Sequence, residues 1–208
     1  MHRFIRYITA PLRFRTSKGF GVHSPFAFNF ITDVMTQNYG YYSYVEQDRR
    51  NRIRRDSTPA RYQHLIFRIF NYFAPERFVI LGHPDMLDVE AALDYSSTVR
   101  AYSLFTDVAG PRIEPVKSIA YAQQLLEDEP VPMAIIGGAM RDDDRIGFIL
   151  SVLRSGGVAV FTDISADRWL WDAVNDGLKL HGMTFSNDRV GVIVGLQHLP
   201  RQIYRLWL

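Results

Sequence analysis

The sequence predicts a doubly wound, mostly parallel α/β sheet closed by an antiparallel hairpin, and three observations carry that reading. Residues Arg77 to Asp107 read as strand (Phe78-Val79-Ile80-Leu81), tight turn (Gly82-His83-Pro84-Asp85), helix (Met86 to about Tyr95) and strand (Val99 to Phe105). Val158-Ala159-Val160-Phe161 is a continuous apolar run, the pattern of a parallel strand buried on both faces. Met183 to Arg189 and Val190 to Leu196 are two strands joined too tightly for a crossover helix, so they pair antiparallel.

The 208 residues suffice for one such domain. They divide into a basic, aromatic-rich helical extension over 1–57 and an α/β domain over 58–208. A hydrophobic content of 47% with 13% aromatics suits a soluble globular chain. No apolar run reaches the roughly 18 residues that a membrane span needs. The chain has no cysteine, which excludes disulfides, thiol catalysis and Cys-ligated metals and suits the cytoplasm. The net charge of +2 conceals an asymmetry: residues 1–70 hold twelve Arg/Lys against four Asp/Glu, and residues 71–208 hold twelve against eighteen. Such a split implies either an anionic partner or a basic segment lying on its own acidic domain.

Met1 to Lys18 mixes apolar residues with four arginines. The arginines interrupt the apolar residues, Pro11 breaks them, and no small-residue cleavage site follows, so this is not a secretory signal. It reads as a segment packed on the domain or as a basic amphipathic surface anchor. Ser24 is placed as an N-cap and Pro25 as the first residue of a helix running to about Gln37, with Ala27, Phe30, Ile31 and Val34 on one face. His23, just outside the cap, is a base or ligand contact, or a residue holding the preceding turn. Tyr39-Gly40-Tyr41-Tyr42-Ser43-Tyr44 is aromatic-rich, and Arg49, Arg50, Arg52, Arg54 and Arg55 follow within seven residues. That combination suits a nucleic acid or an anionic membrane surface, or else a linker and the solvated face of a short helix. A protein partner or a second copy of the chain is a further reading of the same surface.

Thr58-Pro59 starts the next helix, and Ile66, Ile69, Phe70 and Phe73 form its apolar stripe up to Pro75. After the opening unit, the spacing of Ile113, Val116 and Ala120 predicts a helix from Ile113 to Glu127. Val131 to Ile136 is a strand ending in Gly137-Gly138. Ile146, Ile149, Leu150 and Leu153 mark a helix closed by Gly156-Gly157, and Leu170, Ala173, Val174 and Gly177 mark the next. The alternating tail from Ile203 to Leu208 adds an edge strand.

Strands alternating with helices and closed by such a hairpin have the layout of class I S-adenosylmethionine-dependent methyltransferases. The blocks GFGVHSPFAFNFITDVM, ARYQHLIFRIFNYFAPERFVILG, VAVFTDI and DRVGVIVGLQHLPRQIYRL resemble a bacterial, O-methyltransferase-like branch of that superfamily and span most of residues 19–206. The resemblance implies a Rossmann-like sheet with S-adenosylmethionine as cofactor. It places cofactor contacts at Gly82, His83 and Asp85 in the first turn, at Asp107 for the ribose, and at Gly137 and Gly138. It also implies departures. The family's first turn reads acidic-x-Gly-x-x-x-Gly, whereas here the acidic position is apolar, the second glycine is missing, and Pro84 removes a donor.

Some 25 residues separate the second strand from Val131, room for one helix where the family fits two helices and a strand, so one edge strand is expected to be deleted. Metal-dependent members hold Mg²⁺ through acids after the fourth and fifth strands. Here Gly137 stands at the first position and Thr162-Asp163 at the second, so no metal is expected. Asp142-Asp143-Asp144 is a substitute acidic site or a helix start favoured by the dipole. Catalytic candidates reduce to His83 and Asp163, with a capping role as the plainer reading of His83. The histidines show no paired metal-ligand spacing, and neither a G-x-S-x-G elbow nor a P-loop occurs. Three functions follow: a diverged, non-catalytic or weakly active relative that binds a partner, an active O-methyltransferase working without a metal, and a nucleic-acid-binding module.

Overall fold

The computed structural model describes residues 2–54, 59–104, 106–138, 143–187 and 189–207. The apolar strand segments assemble into one eight-stranded sheet of order β3-β2-β1-β4-β5-β7-β6-β8. Its strands are β1 (Arg77–Gly82), β2 (Arg100–Leu104), β3 (Ile113–Val116), β4 (Met133–Gly137), β5 (Val158–Phe161), β6 (Met183–Ser186), β7 (Gly191–Val194) and β8 (Gln202–Arg205). Every pairing is parallel except those of β7, which runs antiparallel to β5 and to β6. The hairpin expected from the close spacing of the last strands is therefore present, and the tail adds β8 parallel to β6. Register brings Gly82 opposite Gly137 at the carboxyl ends of β1 and β4.

Alternation along β1 sets the two layers. Phe78 and Ile80 enter one core with Phe30, Ile66 and Phe70, and Val79 and Leu81 enter the other with Phe148, Leu153 and Trp171. The first face is covered by α2 (Pro25–Phe30), α4 (Arg61–Phe73) and α5 (Met86–Leu93), and the second by α6 (Ile119–Glu127), α7 (Asp143–Arg154) and α8 (Arg168–Gly177). Two further helices, α1 (His2–Ser17) and α3 (Tyr42–Arg54), lie outside these layers.

The N-terminal residues complete this core. Ser24 caps α2 as expected, its hydroxyl accepting from the Ala27 N–H at 3.3 Å, with Pro25 in the first turn. The helix continues as a π-helical turn over Ile31–Met35, in which the Thr36 N–H reaches the Ile31 carbonyl. Ala27, Phe30, Ile31 and Val34 are all buried, so the predicted face is the packed one. Phe30 lies 4.8 Å from the Phe185 ring, 5.7 Å from Phe73 and 5.4 Å from Tyr72, tying this segment to β6 and α4. Helix α1 runs through Pro11 rather than stopping there. Arg13 of α1 donates to the Leu206 carbonyl at 3.0 Å, and Ser17 accepts from the Trp207 N–H at 2.7 Å, so the chain's two ends meet. The expected cap at Thr58 lies outside the described residues.

One expectation is corrected. The edge strand is not deleted: Ile113–Val116 is β3, parallel to β2 from Ala101↔Ile113 to Leu104↔Val116. The spacing of Ile113 and Val116 fits a helix, but Pro115 has no N–H to give one, and an edge strand tolerates it. Ile113 and Val116 are buried while Glu114 and Pro115 are exposed. Ser118 then caps α6, accepting from the Tyr121 N–H at 3.2 Å. Among the described residues no crossover helix joins β2 to β3. The chain returns from β2 to β3 between 105 and 112, and eight residues at about 3.3 Å each can span a five-residue strand.

Candidate functional site

Parallel α/β sheets bind ligands at the carboxyl ends of their strands, and the β1–β4 junction is where a cofactor would enter. Gly82 ends β1 with φ +80°, a left-handed conformation that glycine adopts without strain. The chain then folds directly onto β4. The His83 N–H donates to the Gly137 carbonyl at 2.5 Å. A Cβ added at Gly82 would stand 2.2 Å from that same oxygen, and one added at Gly137 would stand 2.4 Å from the Pro84 Cα. Gly138, with φ +76°, approaches His83 as closely: its added Cβ would lie 2.9 Å from the His83 Cβ. Pro84 is buried in this contact while the His83 side chain is exposed.

At Gly82, Gly137 and Gly138, the glycines expected at a cofactor site, the chain's own backbone approaches closely. Asp85 caps α5, accepting from the Leu87 N–H at 2.8 Å, so that donor of the helix start is satisfied internally. Beneath the turn lies a residue that the sequence reading missed. Arg145, from the first turn of α7, is 1% exposed, and its guanidinium stands 3.2 Å from where a Gly82 Cβ would be. Burial raises the Asp167 carboxyl above its ordinary range, and the positive charge of Arg145 opposes that rise.

The remaining candidates are dispersed. Asp107 is exposed, three residues beyond β2. Asp163 follows β5, but its Oδ1 accepts from the Ser165 N–H at 2.9 Å, the Ser165 hydroxyl at 2.5 Å and the Ala166 N–H at 3.2 Å. Its Oδ2 lies 3.7 Å from Arg189. These bonds hold the turn that follows β5. Asp142 and the side chain of Asp143 lie outside the described residues. Among the described residues no group of three His, Asp or Glu side chains is placed to hold a metal ion. His23 is exposed beside the α2 cap.

The arginine-rich run forms the end of α3. Arg50 pairs with Asp94 and, at 3.3 Å, with Glu90, and Arg54 pairs with Glu90 at 3.0 Å. Arg49 pairs with Glu46 on its own helix at 2.8 Å, and Arg52 donates to the Asp48 carbonyl. Arg55 lies outside the described residues. Two of these cations therefore lie on Glu90 of α5 and on Asp94, its C-cap.

At the same sheet edge, on the side of β6, lies a cavity of about 380 Å³. Its walls come from the end of α1, the chain from Met35 to Gly40, Tyr44 of α3, the first two turns of α4, Asn187 and Trp207. His64 in this wall stacks on Tyr44 with ring centroids 3.9 Å apart, and its Nε2 lies 3.0 Å from Asp48. Burial holds the His64 imidazole below its ordinary value of 6.5, against the attraction of Asp48. The unfolded chain then takes up this proton more readily than the folded one. The stability that His64 contributes is full above pH 6.5 and is lost as pH falls below it through the lower value of the folded chain. Melting temperature measured from pH 7.5 to 5 is expected to fall more steeply for the native chain than for His64→Gln; parallel curves would contradict this.

No protein-family model matches the sequence, and neither does any curated protein. Among solved structures, the chain is similar to an O-methyltransferase from Bacillus cereus, determined in complex with SAH. That match has a TM-score of 0.41 and 12% identity, and it covers 80% of this chain and 96% of that one. An O-methyltransferase family protein from Burkholderia thailandensis matches with a TM-score of 0.41 and 13% identity, over 95% of this chain and 70% of that one.

Proposed function

We propose that this chain keeps a methyltransferase-type sheet as a scaffold, has closed the cofactor cleft with its own first turn, and works by binding rather than by methyl transfer. The observation that carries this reading is the seating of His83 and Pro84 on Gly137 and Gly138, sealed by the His83 N–H to Gly137 carbonyl bond. S-adenosylmethionine does not fit the residues present. Its carboxylate would need backbone donors at the turn and the helix start. The His83 N–H is engaged, Pro84 has none, and the Leu87 N–H is taken by Asp85. Metal-free O-methyl transfer, the alternative, requires this turn to open.

Thermal denaturation with 1 mM S-adenosylmethionine, and separately with S-adenosylhomocysteine, tests the reading. A surviving pocket with a Kd near 10 μM would add about 2.7 kcal/mol, and so raise the midpoint by roughly 5–11 °C for a chain of this size. The expected result is no shift with either compound. A rise of several degrees would overturn the proposal.

A further inference from the structure

The cavity beside α4 has a chemical bias that the cleft lacks. Lys18, Arg61 and Arg68 line it, together with His64, and none of its described lining residues is Asp or Glu. Its remaining walls are rich in rings: Phe14, Tyr39, Tyr44, Tyr62 and Trp207. A volume of about 380 Å³ lies within the range of small-molecule sites, which combine apolar and aromatic walls with a few convergent polar groups.

The cations are held in distinct ways. Arg68 is 9% exposed, and its hydrogen bonds run to the carbonyls of Val34 (2.6 Å) and Met35 (3.3 Å) and to the Tyr44 hydroxyl (3.1 Å). All three acceptors are neutral, so a nearly buried positive charge stands in the wall without a carboxylate among its bonded partners. Burial of a charge in that condition is costly, and an anion in the cavity would offset it. Arg61 is anchored over the Tyr62 ring at 5.0 Å and donates to the Tyr62 hydroxyl at 3.2 Å. Arg189 approaches the same ring at 5.1 Å. Lys18 lies 5.7 Å from the centre of the Phe14 ring. Arg61 and Lys18 are exposed, so both keep ammonium or guanidinium donors available at the mouth.

From this arrangement we propose that the cavity binds a small aromatic anion, its ring against the tyrosine and tryptophan walls and its carboxylate or phosphate toward Lys18 and Arg61. Stacking and cation–π contacts would hold the ring, and charge-assisted hydrogen bonds the head group. The cavity lies at the carboxyl edge of the sheet, where α/β folds present ligands, but it is built from the N-terminal helices rather than from the β1 turn. The inference therefore does not depend on the closed cleft.

Calorimetric titration of the full chain tests it, with benzoate, phenyl phosphate, inorganic phosphate and benzyl alcohol as separate probes. Benzoate and phenyl phosphate are expected to bind and to compete with each other, and the tighter of the two names the head group. Inorganic phosphate and benzyl alcohol, each lacking one half of the recognition, should bind at least tenfold more weakly. Lys18→Ala with Arg61→Ala should weaken the aromatic anions at least tenfold without lowering the melting temperature, since both side chains are exposed. Arg49→Ala with Arg52→Ala removes the same charge from α3, outside the cavity, and should leave the affinity unchanged. No binding of either aromatic anion at 10 mM overturns the proposal. So does equal affinity for benzyl alcohol or inorganic phosphate, or an affinity indifferent to the Lys18 and Arg61 substitutions.

Discussion

Phe30→Ala is expected to lower the unfolding free energy by about 3–5 kcal/mol, the range for deleting a fully buried aromatic side chain. Phe30 has no exposed surface and stands among Phe26, Tyr72, Phe73 and Phe185, so its removal leaves a hole bounded by rings from three elements. Those neighbours sit on rigid helices and a strand and cannot all collapse inward. Urea denaturation followed by far-UV circular dichroism measures the loss. A change below 1 kcal/mol would mean that the helix from Pro25 lies on the sheet without being part of its core. The same result would undercut the cavity, whose floor is the chain just after that helix.

Gly137→Ala carries the second largest effect, a loss of about 1–3 kcal/mol from overpacking. The new methyl would stand 2.4 Å from the Pro84 Cα, 2.7 Å from its Cβ and 2.8 Å from its nitrogen. Two of those three atoms are backbone, so no side-chain rotation relieves the clash. Combining the substitution with Pro84→Gly should restore less than half of the loss, because the Cα remains. Full recovery in the double variant would show that the ring, rather than the course of the backbone, closes the junction. An unaffected Gly137→Ala protein would show that the 82–85 turn stands clear of β4, and would remove the basis for a sealed cleft.

Much of the fold was legible because its signals are local. Continuous apolar runs announced β1, β4 and β5, whose residues from Phe78 to Gly82, Met133 to Gly137 and Val158 to Phe161 are all buried. Ser24-Pro25 announced a helix start, and the close spacing of Met183 to Leu196 announced the hairpin. β3 was not legible, because four residues with two buried side chains fit either period, and only Pro115 and the Ser118 cap argue for the strand.

Legibility at the site was mixed. The turn from Gly82 to Asp85 departs from the resembled family's pattern in the sequence itself, and in the structure Pro84 packs closely on Gly137. Arg145 was not legible, because it follows an acidic triplet and nothing in a single sequence says that an arginine in a first helical turn is buried. The cavity could not be read at all. Its walls come from residues near 14–18, 35–40, 44, 61–68, 187 and 207, which only the tertiary fold brings together.

A crystal structure of the full chain grown with millimolar S-adenosylhomocysteine decides whether the protein's own turn fills the carboxyl edge between β1 and β4. The expected result is the His83 N–H bonded to the Gly137 carbonyl, Pro84 seated on Gly137, and no adenosyl density at that edge. An adenosyl group beside Gly82, with residues 83–85 swung away from β4, would contradict it.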